Sequence, residues 1–230
     1  MTGVVDAVVF DLDGVLIDSE PVWEEVRRAY VAEHGGRWLP DSQRRLMGMS
    51  TREWARYLSQ DLGVGVPPEM VAAQVLGRMA GRYRGELPLL PGAVEAVGRM
   101  ATRWPLGLAS SSARPLIDQV LDSTGLAPLF AATVSTEEVG NGKPAPDVYL
   151  EAARRLGVAA ASCAAVEDSS NGLRSARAAG SVVVAVPHPR YPPEPDALAG
   201  ADLVLHDLDE LTESVLRPFG RSRSGTNGGG

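Results

Sequence analysis

The sequence predicts an α/β protein in which a doubly wound parallel sheet is interrupted by an all-helical insertion. Two patterns lead to this prediction. Short apolar runs of strand length alternate with segments of helical periodicity over the second half of the chain, and such alternation is typical of a parallel sheet with helices on both faces. Between Glu20 and about Pro88, strand-like runs are absent and helical patterns follow one another.

Each element follows from a local pattern. Apolar, β-rich runs predict strands at residues 7–10, 106–109, 164–166, 182–186 and 203–205. Helical spacing predicts helices at residues 22–34, 52–62 and 69–83 in the insertion and at 93–101, 115–123, 146–156 and 172–179 in the core. Residues 87–92 carry two prolines and a glycine, which suit a stiff hinge between the two parts.

These patterns divide the chain into two units and a tail. We assign residues 1–17 and 89–218 to the α/β core and residues 18–88 to the helical insertion. Residues 219–230 are mostly glycine, serine and arginine, so we expect a disordered tail there.

Composition excludes several classes of protein. The formal net charge of −7 argues against nucleic-acid binding, which requires a clustered basic face. A single cysteine, Cys163, lies in an apolar run and predicts a reducing compartment without an intrachain disulfide. No apolar run approaches the roughly 20 residues of a membrane span, and no signal-type segment begins the chain. We expect a cytoplasmic monomer with no membrane or nucleic-acid partner.

Polar side chains follow the predicted strands, where an open α/β sheet places its ligands. Asp11 and Asp13 follow the first run, and Ser110–Ser112 follow the second. Glu167–Asp168 follow the third run, and Lys143 lies in a loop constrained by glycines and prolines. Each feature taken singly has a structural interpretation as well: an acidic turn, helix caps at the serines and at Asp168, or an exposed lysine.

Together, these motifs resemble the haloacid dehalogenase superfamily of phosphotransferases, in the branch that contains β-phosphoglucomutase and small sugar phosphatases. Residues 11–14 match the D-x-D-G motif after a hydrophobic run, and Ser110 matches the serine or threonine that follows a strand. Residues 143–147 match the lysine motif, and residues 167–169 match the acidic motif. The resemblance implies a Rossmann-like core and identifies the insertion as a cap domain.

Phosphate esters are anionic, so a carboxylate nucleophile needs a metal and a cation to suppress repulsion. The resemblance implies that Asp11 attacks phosphorus to form an aspartyl-phosphate and that Asp13 acts as general acid and then general base. Ser110 would bind a phosphoryl oxygen, and Lys143 would offset the charge of the nucleophile and the transferring group. Mg²⁺ would be held by carboxylates and a backbone carbonyl, from Asp11, Asp13, Glu167 and Asp168.

The cap loop and two core residues are further candidates for substrate binding. Residues 44–52 resemble the cap loop that approaches the leaving group in this branch, which points to Gly48 and Ser50. In the core we add Ser111 and Arg114.

The expected activity is hydrolysis of a small sugar or polyol phosphate. β-Phosphoglucomutase has basic residues where Met47 and Thr51 stand and a histidine where Trp23 stands. A mutase would therefore need another cation for its bisphosphate intermediate, which Arg44, Arg45, Arg52 or Arg114 could supply in principle. The alternatives are nevertheless a β-phosphoglucomutase-type phosphotransferase and, in a different class, a non-catalytic phosphosugar-binding module. Nucleotide-type phosphates and phosphoglycolate remain open as substrates.

Overall fold

The computed structural model describes residues 5–47 and 49–219. Its core is a six-stranded sheet in the order β3-β2-β1-β4-β5-β6, and every neighbouring pair of strands is parallel. The strands are β1 Ala7–Phe10, β2 Leu106–Ser110, β3 Phe130–Ser135, β4 Cys163–Glu167, β5 Val182–Ala185 and β6 Leu203–Val204. This confirms the predicted fold class.

Helices precede, connect and follow these strands. Four belong to the segment between β1 and β2: α1 Glu20–Glu33, α2 Ser42–Leu46, α3 Thr51–Arg56 and α4 Pro68–Gly85, with a π-helical turn at Tyr57–Asp61. The others are α5 Ala93–Ala101, α6 Arg114–Thr124, α7 Asp147–Leu156, α8 Ser170–Ala178, α9 Pro195–Leu198 and α10 Glu213–Leu216. No helix in the described part of the chain is both long and apolar enough to cross a membrane.

The central position of β1 in the sheet determines which polar side chains lie close together. It lies between β2 and β4, with Phe10 in register with Leu108 and with Val166. All four residues of β1 are fully buried, because helices cover both faces of a parallel sheet. The carboxyl ends of β1, β2 and β4 therefore bring Asp11, Ser110 and Glu167 to one edge of the sheet.

The chain passes between the core and the helical insertion twice, at residues 17–18 and 88–89, and these two segments are hydrogen-bonded to each other. Asp18 donates its backbone N–H to the Pro88 carbonyl at 2.7 Å, and Ile17 forms an antiparallel bridge with Leu89. A core loop adds a further contact, because Tyr191 Oη donates to Glu24 Oε2 at 3.1 Å. Inside the insertion, large side chains such as Trp54, Tyr30 and Met79 are buried.

All of the predicted strands and helices occur, with ends shifted by at most two residues and the 52–62 helix ending in the π-helical turn. One strand and three short α-helices were missed. The edge strand β3 pairs only with β2, and its alternately exposed, small residues lack the continuous apolar run of the other strands. Helices α2, α9 and α10 have only four or five residues each, too few for a periodic pattern. Phe219, which we assigned to the tail, ends a one-turn helix and packs against the core; residues 220–230 lie outside the described residues.

Candidate active site

A buried ion cluster joins the lysine loop to the ends of β1 and β4. Lys143 Nζ donates to Glu167 Oε1 at 2.5 Å and to the Ala109 carbonyl at 3.0 Å. It also lies 3.0 Å from Asp11 Oδ1, an ion pair without hydrogen-bond alignment, which leaves that oxygen without a donor. Tyr149 Oη donates to Glu167 Oε1 at 2.6 Å. Three separate segments of the chain thus converge on one buried cation.

The carboxylates at this edge repel one another. Burial, followed by the charge of Glu167, raises the pKa of Asp11 well above its ordinary value, while Lys143 opposes the rise. Burial and the charges of Glu167 and Asp11 likewise raise the pKa of Asp168. For Lys143, burial disfavours the charged form, but Asp11 and Glu167 outweigh that effect and raise its pKa. The cluster is therefore short of positive charge.

Asp13 sits in a different environment, held by hydroxyl donors. Ser19 donates to its Oδ1 at 2.6 Å, and Ser112 donates to its Oδ2 at 2.6 Å. Longer contacts come from Ser110 at 3.3 Å and from Trp23 Nε1 at 3.4 Å. These donors fix the orientation of the carboxylate, and none of its described hydrogen-bond partners is a cation.

Two glycines make room for the acidic side chains. Gly14 has a φ of +81°, and a Cβ added there would lie 2.0 Å from Asp168 Oδ2. A Cβ on Gly172, at the start of α8, would lie 1.9 Å from Glu167 Oε2. An alanine at either position would displace the neighbouring carboxylate, Asp168 or Glu167, so glycine is required at both positions by the packing of the site.

The carboxylates fit a divalent cation. One oxygen from each of Asp11, Glu167 and Asp168 falls within a group whose atoms all lie within 4.8 Å of one another. Asp11 Oδ1 and Asp168 Oδ1 are buried and accept no hydrogen bond from the described residues. Buried, oxygen-only and mutually repelling groups are the donor set that Mg²⁺ prefers, so the residues present fit this ion.

A pocket lies between this cluster and the helical insertion. Its core wall includes Asp11, Asp13, Ser111, Ser112, Lys143 and Asp168. Its other wall includes Glu20, Trp23, Arg27, Met49, Thr51 and Trp54. The pocket volume is about 40 Å³, enough for a few water molecules. In this conformation the pocket is smaller than a carbohydrate-sized molecule.

The structure brings together the motif residues that the sequence singled out. Asp11, Asp13, Lys143 and Asp168 line the pocket, and Glu167 lies buried behind Lys143. Ser110 does not line it but is buried next to Asp13, where its Oγ accepts the backbone N–H of Ser112 at 3.0 Å.

Of the three expected substrate-binding residues that the structure describes, Ser111 alone lines this pocket, and its buried Oγ has no partner among the described residues. Ser50 instead caps α3: its backbone N–H and Oγ both donate to Glu53, and it lines a separate cavity. Arg114 is held by Glu138, Asp118 and Thr133 and does not reach the pocket. Gly48 lies outside the described residues.

Sequence reasoning missed several residues in this region. Glu20 and Arg27 line the pocket from α1, and Tyr149 supports Glu167 from α7. A signal for the first two exists in the sequence, because Glu20, Trp23 and Arg27 follow the i, i+3, i+7 spacing that places side chains on one helix face.

Comparison with known proteins agrees with the motifs. The family model of haloacid dehalogenase-like hydrolases matches residues 5–180. Hexitol phosphatase B of Escherichia coli (strain K12) is 36% identical over 216 residues, covering 91% of this chain and 96% of that protein. Phosphorylated carbohydrates phosphatase of Thermotoga maritima is 32% identical over 176 residues, covering 76% of this chain and 82% of that protein.

A solved structure shows the same architecture. β-Phosphoglucomutase from Clostridium difficile superposes with a TM-score of 0.81, covering 94% of this chain and 96% of that one, at 22% identity. That likeness establishes the fold. The match of the family model over most of the chain, with the sequence identity to phosphatases, shows that this protein belongs to the haloacid dehalogenase-like hydrolases and is a phosphatase of that family.

Proposed function

We propose that this protein is a Mg²⁺-dependent phosphomonoester hydrolase that works through a phosphorylated Asp11, and that its substrate is a small sugar or polyol phosphate. One observation carries the proposal. Asp11 lies at the carboxyl end of the central strand with Lys143 Nζ 3.0 Å away, and Asp13 lies in the same pocket. A nucleophile, a cation and an acid–base group thus share one site.

The first step transfers the phosphoryl group to the protein. A carboxylate oxygen of Asp11 forms a bond to phosphorus while the bond from phosphorus to the ester oxygen breaks. Asp13 gives its proton to that oxygen, so the product leaves as a neutral alcohol. In the second step water attacks phosphorus, Asp13 takes the proton, and the bond to Asp11 breaks to release inorganic phosphate.

Other side chains stabilise the phosphoryl group and the nucleophile. Lys143 offsets negative charge on Asp11 and on the transferring group, and its buried position makes that interaction stronger than it would be in water. The free hydroxyl of Ser111 is available to a phosphoryl oxygen. Ser110 acts indirectly, because it forms hydrogen bonds with Asp13 and Ser112 and does not line the pocket.

The acidic cluster is the proposed metal site. Asp11 and Asp168, with Glu167 and the backbone carbonyl of Asp13, would hold Mg²⁺, which neutralises charge on the carboxylates and on the phosphoryl oxygens. Glu167 has a second task, since it accepts from Lys143 and Tyr149 and so fixes the lysine.

The helical insertion is the proposed cap domain, with boundaries at residues 18 and 88. It closes the pocket over the core wall and excludes water from the phosphoryl group. Because the pocket volume is small, we infer that the cap opens for each substrate and product.

Two relatives support the substrate class. The proteins named hexitol phosphatase and phosphorylated carbohydrates phosphatase match most of this chain. A mutase is disfavoured at the cap loop, since Met47 supplies no cation there and Arg45 pairs with Asp41 instead.

A substrate panel tests the proposal. Purified protein with Mg²⁺ is given hexose and hexitol phosphates, nucleotides and phosphoglycolate, and phosphate release is measured; conversion of β-glucose 1-phosphate to glucose 6-phosphate is assayed in parallel. We expect release from sugar or polyol phosphates that is lost on chelation. Asp11→Asn, which removes the nucleophile, should lower kcat by at least about 10⁴-fold without unfolding the protein.

Other outcomes contradict the proposal in distinct ways. Isomerised product without free phosphate would establish a mutase. Near-normal hydrolysis by pure Asp11→Asn would exclude the phosphorylated aspartate as intermediate.

A further inference from the structure

Arg27 on α1 is a buried cation to which no described side chain is hydrogen-bonded, although the charges of Glu20 and Asp13 favour its charged form. It is 4% exposed, and its guanidinium carbon lies 4.2 Å from the Trp23 ring centroid and 5.1 Å from that of Trp54. Among the described residues it forms no hydrogen bond or ion pair, and its buried Nε has no acceptor. The two indole rings therefore fix its position, while no described residue accepts a hydrogen bond from its N–H groups.

A buried donor without an acceptor is costly, and a charged one more so. Burial lowers the pKa of Arg27 to about 10, so the side chain stays charged at neutral pH. Arg27 lines the pocket that also holds Asp11 and Asp13. A ligand in that pocket that offers oxygen atoms would satisfy the guanidinium.

Glu20 on the same helix supplies the complementary acceptor. It lies seven residues, about two helical turns, before Arg27 and lines the same pocket. Gln43 donates to its Oε2 at 2.6 Å, while its other oxygen receives no hydrogen bond from any residue in the described ranges. Burial raises the pKa of Glu20 to about 7, and Arg27 opposes the rise.

Resting on the phosphatase function proposed above, we propose that Arg27 and Glu20 bind hydroxyl groups of an uncharged polyol leaving group and thereby select substrates with a single phosphate. A hydroxyl both accepts from Arg27 and donates to Glu20, so neighbouring hydroxyls satisfy both side chains. Trp23 and Trp54 also line the pocket and offer apolar surface to the C–H groups of the leaving group.

The same pair disfavours a second anionic group. A distal phosphate or carboxylate would be attracted by Arg27 but repelled by Glu20 in the same pocket. The cation of the core wall, Lys143, already forms ion pairs with Asp11 and Glu167. The site thus combines attraction for hydroxyls with repulsion of anions.

The recognition group stays together when the cap opens. The Glu20–Gln43 hydrogen bond joins α1 to α2, and the Trp23 and Trp54 rings, 5.8 Å apart between centroids, join α1 to α3. All of these residues belong to the cap. Glu20 and Arg27 can therefore engage the leaving group as one rigid unit while the core holds the phosphate.

Steady-state kinetics on the full chain with Mg²⁺ test the proposal. The substrates are sorbitol 6-phosphate, fructose 1,6-bisphosphate and 4-nitrophenyl phosphate, which has no hydroxyl on its leaving group. Arg27→Met, which keeps the stem between the indoles, should lower kcat/KM for sorbitol 6-phosphate about 100-fold and for the aryl ester less than about 10-fold. Glu20→Gln should raise the rate on the bisphosphate relative to sorbitol 6-phosphate by about 10-fold.

Arg28→Met is the matched control, because Arg28 is the next residue of the helix and is exposed. It should leave all three rates unchanged. Equal losses on sorbitol 6-phosphate and the aryl ester in Arg27→Met would reduce Arg27 to a structural role and overturn the proposal. A wild-type preference for the bisphosphate would overturn it as well.

A binding measurement separates this inference from the proposed function. Sorbitol is titrated in the presence of inorganic phosphate while tryptophan fluorescence is recorded, since Trp23 and Trp54 line the pocket. We expect saturable binding that Arg27→Met weakens about 100-fold. If no ester is hydrolysed, the proposed function fails whatever sorbitol does; if esters are hydrolysed but sorbitol does not bind, only this inference fails.

Discussion

Asp13 and Asp11 are two residues apart in the chain and have contrasting surroundings. Asp11 lies beside a cation and accepts no aligned hydrogen bond at Oδ1, whereas Asp13 accepts short hydrogen bonds from Ser19 and Ser112. A carboxylate beside a cation is suited to act as a nucleophile, while a carboxylate held by hydroxyls is fixed for proton transfer. Their environments thus separate the proposed roles of nucleophile and acid–base group.

We expect Asp13→Asn to make the rate depend strongly on the leaving group. For a polyol phosphate, whose leaving oxygen needs a proton, kcat should fall about 10³-fold. With 4-nitrophenyl phosphate, whose leaving group needs no proton, phosphoryl transfer to Asp11 should still occur, but hydrolysis of the phosphorylated Asp11 should be slow. Stopped-flow absorbance should show a burst of nitrophenol equal to the enzyme concentration, and mass spectrometry should detect one added phosphoryl group.

A uniform loss on both substrates without a burst would contradict the assignment of Asp13. Asp118→Asn serves as the control for an aspartate-to-asparagine change, since Asp118 lies on α6 and does not line the pocket.

At the scale of elements, the β4–α8 turn determines where Glu167 lies. Ser169 caps α8 by accepting the Gly172 N–H at 3.1 Å, and its Oγ lies 3.3 Å from Glu167 Oε2. The first turn of the helix thus lies against the carboxylate that holds Lys143. A side chain at position 172 would act on the site through this carboxylate.

Gly172→Ala should displace Glu167 and, through it, Lys143. We expect kcat to fall by about 10- to 100-fold and stability to fall by about 1–3 kcal/mol, because a buried carboxylate must move. Turnover and chemical denaturation measure the two effects.

Gly98→Ala provides the matched control. Gly98 lies inside α5 and has no atom within 4 Å of an added Cβ, so alanine should raise stability by about 0.5–1 kcal/mol and leave kcat unchanged. If Gly172→Ala were as harmless as Gly98→Ala, close packing against Glu167 would not control the site.

At the scale of the whole molecule, the acidic cluster couples stability to pH and metal. The folded state raises the pKa of Asp11 and Asp168 above their ordinary value of 3.8, so protonation favours the folded protein. Below about pH 4 these two carboxyl groups are protonated in both the folded and the unfolded protein, so they do not lower the free energy of unfolding. As the pH rises from there through the raised pKa values, they lower the free energy of unfolding progressively.

We therefore expect Mg²⁺ to stabilise the protein more at pH 7.5 than at pH 5. At 100 times its Kd, the ion should add about 2.7 kcal/mol at the higher pH, which corresponds to a rise in Tm of about 5–10 °C. Thermal unfolding with Mg²⁺ or with chelator, at matched ionic strength, measures the difference. Asp11→Asn should reduce both the metal effect and the loss of stability with pH; an equal metal effect at both pH values would exclude the carboxylate cluster as the binding site.

The sequence by itself determined the fold class and the chemistry of the core motifs. Apolar runs and helical periods are local, so they predicted five of six strands and the helical insertion, and the acids, serines and lysine followed the motif order. The parallel sheet then brings the ends of β1, β2 and β4 together whatever lies between them.

Only the tertiary structure decided which surface residues face the pocket. Ser50 and Arg114 were expected there, but Ser50 is used by a helix cap and Arg114 by ion pairs, and both partners come from how segments pack. Arg27 belongs to no motif that the sequence showed, yet it lines the pocket because two tryptophans from different helices pack against its guanidinium. Contacts between segments distant in sequence depend on the packing of the whole chain, and no local pattern encodes them.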